Sequence, residues 1–269
     1  MKRIVHLSTM HSSSDTRVFR NECRSIAKEG YEVIFCVPHP VEQTIEGVRI
    51  VPIPKFNGFV DRIFGAPKKA LQVAEKLDGD LYHFHDPELL FVMAGLAKRG
   101  KKVVWDAHEN YADTIYQFNS LKIKLVSFFG AKIFGHYELK YAKKYFSGVV
   151  TITDKMADKY RKLGIETAVV GNFSDISKFK TPNFERESTP VNFISSGMQF
   201  KVRGVVEMAS AFNLIKNDRG ARLCYAGKVK PNELEVEILK EVHSSKHERV
   251  KFTGELSWYN LINEFLPNA

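Results

Sequence analysis

Short apolar runs alternate along the chain with longer stretches in which apolar residues recur every three or four positions. The short runs predict β-strands, and the periodic stretches predict helices. In the first part, the predicted strands are 2–8, 32–38, 48–53, 81–85, 102–106, 148–153 and 167–171. The predicted helices are 16–29, 60–78, 87–99, 120–146 and 154–163. This alternation indicates a parallel sheet covered by helices on both faces.

The alternation restarts after a polar segment, 175–190, which contains two prolines and predicts a linker. The strands predicted beyond it are 191–196, 221–226 and 249–253, and the helices are 203–216, 232–245 and 257–266. We therefore expect an α/β chain of two Rossmann-like domains, 1–174 and 191–269, with the second incomplete at Ala269.

Composition places the chain among soluble globular proteins, with 44% hydrophobic and 26% charged residues. No apolar run approaches the roughly 18 residues of a membrane-spanning helix. Cys23, Cys36 and Cys224 are odd in number and far apart in sequence. They predict buried thiols in a reducing cytoplasm rather than a disulfide or metal site.

The net charge of +9 is concentrated between residues 122 and 162, which hold ten Lys or Arg and three acidic residues. Within the predicted helix 120–146, Lys132, His136, Lys140 and Lys144 follow one another at intervals of four. A basic amphipathic helix predicts peripheral contact with anionic membrane. A core-packed helix with a solvated face is the alternative. Nucleic-acid binding is not predicted, because none of the usual modules is present.

The loop after the first strand, His11-Ser-Ser-Ser-Asp-Thr-Arg17, presents hydroxyls and backbone N–H groups at a helix N-terminus. Such a loop favours an anion or a polar ligand. An ordinary helix cap by Asp15 is the alternative. The loop is neither a GxGxxG motif nor a P-loop, so those modes of nucleotide binding are unsupported.

Two further strands end in ionisable residues, at the sheet edge where ligands of parallel sheets bind. His83 and His85 lie on one side of a strand that exits into Asp86. The spacing shows no third metal ligand, so no metal site is predicted. Asp86 is a candidate to take a proton from a sugar hydroxyl, and capping of the helix at Pro87 is the alternative.

The next strand exits into Asp106, His108 and Glu109, and the His108–Glu109 pair is a second candidate for catalysis. The remaining histidines are assigned no functional role. They are His6, His39, His136, His243 and His247. In the second domain, Lys201 and Arg203 lie near Gly197 and Gly204 between a strand and a helix, where they suit a diphosphate.

Eight short motifs in sequence order resemble the polysaccharide-synthesis branch of glycosyltransferase family four, which has the GT-B fold. They are Asp15-Thr-Arg-Val-Phe-Arg with Gly30-Tyr-Glu-Val33, Tyr82-His-Phe-His-Asp-Pro87, Trp105-Asp-Ala-His-Glu109, Val150-Thr-Ile-Thr153, Val170-Gly-Asn172, Arg203-Gly204, Tyr225-Ala-Gly227 and Phe252-Thr-Gly254. The resemblance implies an acceptor domain, a nucleotide-sugar domain, and transfer in the cleft between them.

The resemblance also implies transfer with retention of configuration, without a metal or cofactor, in which the nucleotide sugar is a co-substrate. The implied catalytic residues are His85, Asp86, His108 and Glu109. The implied acceptor-binding residues are His11, Ser13, Asp15, Arg17 and Asn172. The implied donor-binding residues are Gly197, Lys201, Arg203, Gly204 and Gly227. The acceptor is expected to be a glycan or a lipid-linked sugar.

Two departures from the family pattern qualify this expectation. Met198 follows Gly197 where the family often has a basic residue, and the family's donor-binding glutamate motif and closing helix would lie past Ala269. We therefore expect a fragment with little transferase activity of its own. A non-catalytic binding module is the alternative, and a sugar-nucleotide epimerase of the same fold is a further one.

Overall fold

The computed structural model describes residues 1–112, 124–173, 190–215 and 220–265. The chain forms two compact units, Met1–Phe173 (unit 1) and Ser174–Ala269 (unit 2). The predicted linker lies outside the described residues, except for Pro190. Each unit is built on its own sheet.

Unit 1 contains an eight-stranded sheet in the order β3-β4-β2-β1-β5-β6-β7-β8. The strands are β1 Arg3–Leu7, β2 Glu32–Pro38, β3 Gln43–Ile45, β4 Val48–Ile53, β5 Leu81–Phe84, β6 Lys102–Ala107, β7 Gly148–Thr151 and β8 Thr167–Val169. All neighbouring pairs are parallel except β3 and β4. The seven predicted strands are therefore present, and β3 is an addition at the edge.

The extra strand β3 is joined to β4 by the dipeptide Glu46-Gly47, whose φ angles are 48° and 81°. A two-residue hairpin with positive φ at both central positions matches the twist of antiparallel strands. The glycine at the second position is the signal in the sequence for this hairpin. The strand itself has no apolar run, which is why the hydrophobic pattern did not predict it.

The helices of unit 1 follow the predicted positions with different boundaries. They are α1 (Thr16–Cys23, which is π-helical, then Arg24–Lys28), α2 Ala66–Glu75, α3 Leu90–Lys98, α4 Lys124–Tyr145 and α5 Asp154–Arg161. The predicted helix 60–78 is broken into Gly58–Val60, Asp61–Gly65 and α2. The first residues of the predicted helix 120–146 lie outside the described residues.

The two faces of the central strands carry different chemistry. Because side chains alternate along a strand, one face of β1, β5 and β6 is apolar and joins the main core. Its residues are Val5, Leu7, Tyr82, Phe84, Val103, Trp105 and Ala107. The other face, which α1 covers, carries buried ionisable side chains. We call His6, His83, His85 and Asp106, together with Arg17 and Glu22 of α1, the polar face.

On α4, two large apolar side chains are exposed, although smaller or polar ones are buried. Among the side chains of α4 that the structure describes, the buried ones are Ala131, Glu138 and Ala142. Phe129 and Ile133 are 55% and 58% exposed. Among the described residues, no helix has the length and apolar character needed to cross a membrane.

Unit 2 contains a three-stranded parallel sheet in the order β11-β10-β9. The strands are β9 Asn192–Ser196, β10 Arg222–Ala226 and β11 Val250–Phe252. The helices are α6 Val205–Asn213, α7 Glu233–Glu241 and α8 (Trp258–Asn260, then Leu261–Phe265). The predicted helix 232–245 ends earlier, since the chain is extended at Val242 and then forms a 3₁₀ helix, Ser244–Arg249.

Candidate active site

Asp106, near the carboxyl end of β6, is the centre of a buried hydrogen-bonded group. It is fully buried, and its Oδ2 lies 2.9 Å from His85 Nδ1 and 3.1 Å from His108 Nδ1. Arg17 of α1 donates to both of its oxygens, at 3.2 Å and 2.8 Å. Burial opposes its ionisation, but the hydrogen bonds from His108, His85 and Arg17 hold the pKa of Asp106 well below its usual value. The carboxylate is therefore charged and anchors three side chains.

Arg17 connects this carboxylate to the end of the unit 1 chain. Its Nη1 donates to the backbone oxygen of Val170 at 3.0 Å and to Asn172 Oδ1 at 2.7 Å. The structure thus brings together Arg17 and Asn172, two predicted acceptor-binding residues that are far apart in sequence. Both side chains form hydrogen bonds within unit 1, so the primary role of Arg17 is to stabilise the structure of that unit.

Glu22 is a second buried carboxyl beside the same cation. Its Oε1 lies 3.1 Å from Arg17 Nε, but neither oxygen has a hydrogen-bond partner. Burial, and then repulsion from Asp106, raise the pKa of Glu22 to about 9. The guanidinium of Arg17 lies beside both carboxyl groups but donates two hydrogen bonds to Asp106. Asp106 is therefore the carboxyl that stays charged, and Glu22 is protonated at neutral pH.

Three imidazoles pack together on the polar face. Their ring centroids are 4.8 Å apart for His6 and His83, 4.7 Å for His83 and His85, and 5.2 Å for His6 and His85. Burial, reinforced by the neighbouring rings, lowers the pKa of His6 and brings that of His83 to about 3. Burial also lowers the pKa of His85. All three rings are therefore neutral at physiological pH.

Asp86 does not cap the helix that follows it, so this alternative is wrong. The carboxylate makes no capping hydrogen bond; its Oδ2 accepts from Ser8 Oγ and from the backbone N–H of Thr9, both at 2.7 Å. Parallel pairing of Leu7 with Phe84 places the residues after β1 beside those after β5. Asp86 therefore fixes the course of the loop after β1.

Within that loop, His11 and Asp15 form a partly buried pair. His11 Nδ1 lies 3.0 Å from Asp15 Oδ2, while Asp15 Oδ1 accepts from the backbone N–H of Val18 at 2.8 Å. The predicted cap by Asp15 is confirmed. Burial opposes the charge on each residue, but their hydrogen bond together with neighbouring charges and N–H groups outweighs it, so the pKa of His11 is raised and that of Asp15 is lowered. Ser13, another predicted acceptor-binding residue, is half-buried in the same loop.

His108 and Glu109 have different environments, although the sequence pairs them. His108 is held by Asp106, and its Nε2 lies 3.4 Å from the hydroxyl of Tyr111, which donates to the backbone oxygen of His85. His108 therefore presents an oriented ring nitrogen, whereas Glu109 is exposed to solvent.

In unit 2, two of the predicted donor-binding glycines, Gly197 and Gly227, meet at the carboxyl end of the sheet. Gly197 donates to Ala226 O at 2.9 Å, and a Cβ added to Gly227 would lie 2.0 Å from Gly197 O. Only glycine fits at position 227, where φ is 143°. Gly204, with φ 73°, is the N-cap residue of α6. The glycines therefore allow two loops to approach each other closely.

The charged residues of this loop point in different directions. Lys201 is paired with Glu237 of α7, while the guanidinium of Arg203 lies near Gly197. The buried Gln199 ties the loop together by accepting from Ser195 Oγ at 2.7 Å and donating to Gly197 O at 2.7 Å. Beside it is a cavity of about 580 Å³, which is lined by Phe200, Lys228, Lys230, Pro231, Asn232 and Glu233.

Sequence reasoning missed three members of the polar face. His6 was assigned no role, Glu22 was not singled out, and Asp106 was noted only as a strand exit. The alternation of side chains along the strands could have revealed these residues. The side chains of His6, His83, His85 and Asp106 fall on the same face of three neighbouring buried strands, where apolar residues are expected.

The fold is that of GT-B glycosyltransferases. Sucrose-phosphate synthase from Thermosynechococcus elongatus superposes with a TM-score of 0.72 at 13% identity, over 97% of this chain and 72% of that chain. HepE from Anabaena in complex with UDP-glucose gives 0.64 at 13% identity, over 96% and 70%. WaaG, a glycosyltransferase involved in lipopolysaccharide biosynthesis, gives 0.63 at 14% identity, over 94% and 70%.

The sequence profile of Glycosyltransferase Family 4 matches residues 16–178. This match spans more than half of the chain and contains the helix and strand ends that carry Arg17, His85, Asp86, Asp106 and His108. The chain belongs to glycosyltransferase family 4. No curated protein sequence matches it.

Proposed function

We propose that the chain transfers a sugar from a nucleotide-sugar donor to a glycan or lipid-linked acceptor in the synthesis of a surface polysaccharide. The observation that carries this proposal is the oriented group of Asp86, Asp106 and His108 at the carboxyl edge of the unit 1 sheet, within the residues that match the family. The solved relatives support the substrate class, since HepE binds UDP-glucose and WaaG is involved in lipopolysaccharide biosynthesis.

On the acceptor side, His108 is the side chain best placed to meet a sugar hydroxyl. Its Nδ1 faces Asp106, so Nε2 carries the lone pair that accepts a hydrogen bond from the hydroxyl. His85 is buried and contacts Asp106, and therefore acts as a positioning residue. Asp86 orders the loop in which His11 lies, and Glu109 is exposed to solvent. Transfer proceeds with retention of configuration and without a metal ion in the reaction.

On the donor side, the loop around Gly197 and Gly227 receives the diphosphate. Glycines let the phosphates approach the backbone closely, and Arg203 offsets the negative charge that develops as the nucleotide diphosphate leaves. Lys201, in the same loop, adds to the positive charge that favours the diphosphate. The adjacent cavity of about 580 Å³ is within the usual size of small-molecule sites, roughly 300–1,000 Å³.

Calorimetry and product analysis test this function with the full chain. We expect UDP-glucose to bind saturably, and Arg203→Ala to weaken the affinity at least tenfold, since a charge-assisted hydrogen bond contributes about 1.5–3 kcal/mol. Arg222→Ala is the matched control, because Arg222 is exposed at the opposite end of β10. His108→Ala should lower turnover without changing donor affinity.

Absence of binding to any of UDP-, GDP- and ADP-sugars, or equal effects of Arg203→Ala and Arg222→Ala, would contradict the donor assignment. Donor binding without turnover on glycan or lipid-linked acceptors would instead favour a non-catalytic binding module. Interconversion of the donor sugar would favour an epimerase. The anomeric configuration of a product, read by NMR, tests retention.

We also propose that the transferase acts at the cytoplasmic face of the membrane, through peripheral contact of the 122–162 segment with anionic lipid. On α4, Lys132, Lys140, Lys143 and Lys144 are exposed beside the exposed side chains of Phe129 and Ile133. Exposed cations next to exposed apolar side chains suit a lipid interface. The three buried free thiols agree with a reducing compartment.

Flotation with vesicles tests the membrane contact. The chain is expected to float with phosphatidylglycerol-containing vesicles and not with phosphatidylcholine alone, and Lys140/Lys143/Lys144→Glu should abolish flotation. Lys28/Lys76/Lys251→Glu makes the same charge change at exposed sites elsewhere and should leave flotation intact. If both triple variants lose flotation equally, net charge rather than α4 is responsible, and the assignment fails.

A further inference from the structure

Four side chains of the polar face converge in unit 1. One potential metal-ligand atom from each of His6, Glu22, His83 and His85 lies within 4.8 Å of the other three. All four residues are buried. They come from β1, from the end of β5 and from the helix α1 that covers these strands.

Four buried polar atoms of these side chains lack hydrogen-bond partners. They are His6 Nε2, His83 Nε2 and both carboxylate oxygens of Glu22. Such buried atoms are rare in folded proteins and call for an explanation, of which an ion is one. Glu22 Oε1 does have the guanidinium of Arg17 at 3.1 Å. Glu22 Oε2 is the oxygen on the imidazole side, 3.9 Å from His83 Nδ1 and 4.0 Å from His85 Nδ1.

One pair of atoms is spaced nearly as in a four-coordinate metal site, and the others are more widely spaced. His6 Nδ1 and His85 Nε2 face each other at 3.0 Å. Two ligand atoms around tetrahedral zinc are about 3.3 Å apart, given Zn–N bonds of ~2.0–2.1 Å. The largest distances between candidate ligand atoms in this group, up to 4.8 Å, exceed that value. Binding therefore requires these side chains to move together by up to roughly 1.5 Å.

The surroundings also match those of a metal-binding histidine. A ligating imidazole usually donates its second N–H to a carboxylate, which fixes its orientation. His85 Nδ1 lies 2.9 Å from Asp106 Oδ2 in this way. The guanidinium of Arg17 lies next to the site, and its positive charge opposes the binding of a metal cation. Asp106, which Arg17 contacts at 2.8 Å, offsets this charge.

We propose that His6, Glu22, His83 and His85 bind one divalent transition-metal ion, and that this ion fastens α1 to the sheet. The ion displaces the proton of Glu22, and three neutral imidazoles and one carboxylate are ligands that zinc prefers. The ion holds the helix that carries Arg17, and it takes no part in sugar transfer. This inference is independent of the proposed transferase activity.

Metal binding by the full chain tests the proposal directly. After treatment with a chelator, we expect the chain to take up one Zn²⁺ per molecule in competition with a chromophoric chelator, with a rise in its unfolding temperature. Co²⁺ should give the intense visible absorption of a tetrahedral site. His6→Gln and His83→Gln should each weaken Zn²⁺ binding at least tenfold.

Two variants serve as controls. His243→Gln changes an exposed histidine of unit 2 and should leave the affinity within twofold. His108→Gln distinguishes a second possible group in unit 1, made of His85, Asp106 and His108. It should also leave the stoichiometry and the Co²⁺ spectrum unchanged. Circular dichroism establishes that each variant is folded.

The proposal is overturned if the unmodified chain shows no saturable uptake of Zn²⁺ and no tetrahedral Co²⁺ band, a result that does not depend on any variant. It is also overturned if binding persists in the folded His6→Gln and His83→Gln variants, or is lost only in His108→Gln. None of these results bears on donor binding or turnover.

Discussion

Asp106→Asn is expected to lower the free energy of unfolding of unit 1 by about 3–5 kcal/mol, the usual effect of removing one member of a buried ion pair. Asparagine keeps the shape of the side chain but leaves Arg17, which is only 9% exposed, without its buried anion. Urea unfolding followed by fluorescence measures this loss, because the buried Trp105 is the neighbouring residue of β6. Orientation of His85 and His108 is lost as well, so turnover should fall together with stability.

Asp154→Asn is the control for this prediction, because Asp154 pairs with Arg161 through a carboxylate that is 81% exposed. Removal of an exposed pair is expected to cost less than about 1 kcal/mol. The double variant Arg17→Met/Asp106→Asn should be more stable than Asp106→Asn, since it no longer buries an unpaired cation. Equal losses for Asp106→Asn and Asp154→Asn would show that the buried pair does not stabilise unit 1.

Gly227→Ala is expected to destabilise unit 2 by roughly 3 kcal/mol or more, in the range of substitutions that force a backbone to move. The added Cβ would lie 2.0 Å from the backbone oxygen of Gly197, and φ of 143° is unfavourable for alanine. Hydrogen exchange of β9 and β10 would report the loss locally. Because the Gly197 loop must shift, affinity for UDP-glucose should fall in the same variant.

Gly254→Ala is the matched control for the steric effect. Gly254 also has a positive φ, 69°, but an added Cβ meets nothing within 4 Å. The cost there is that of left-handed backbone alone, about 1–2 kcal/mol. Similar losses in the two variants would mean that the Gly197–Gly227 approach does not constrain the loop.

The strands could be predicted because burial in a parallel sheet demands continuous apolar runs. The seven predicted strands of unit 1 are of this kind, whereas β3, with the sequence Gln43–Ile45, pairs only at the edge and leaves no such signal. Helix boundaries were less predictable. On α4, Phe129 and Ile133 are apolar residues four positions apart, but they are exposed, and Ala131, Glu138 and Ala142 are buried. Two rows of one helix can carry similar patterns, and only packing selects between them.

Asp86 shows why local reasoning about a site fails. The neighbouring sequence, an aspartate before a proline at the start of a helix, predicts that Asp86 caps the helix. Nothing in that sequence indicates another hydrogen-bond partner for its carboxylate. The parallel register of β1 and β5 places Ser8 and Thr9 beside it, and their two hydrogen bonds at 2.7 Å occupy the carboxylate instead. Glu22 is similar, because nothing near it in sequence marks it as different from an exposed helix position.

The sequence by itself determined that this is an α/β chain with two sheet units, that polar loops end the central strands, and that its motifs belong to glycosyltransferase family 4. These features depend on neighbouring residues and on periodicity. Tertiary structure decided which ionisable groups meet: Arg17 with Asp106 and Asn172, and His6 and Glu22 with His83 and His85. Those contacts join residues up to 155 positions apart, and their energies arise only when sheet pairing and the covering helix remove them together from water.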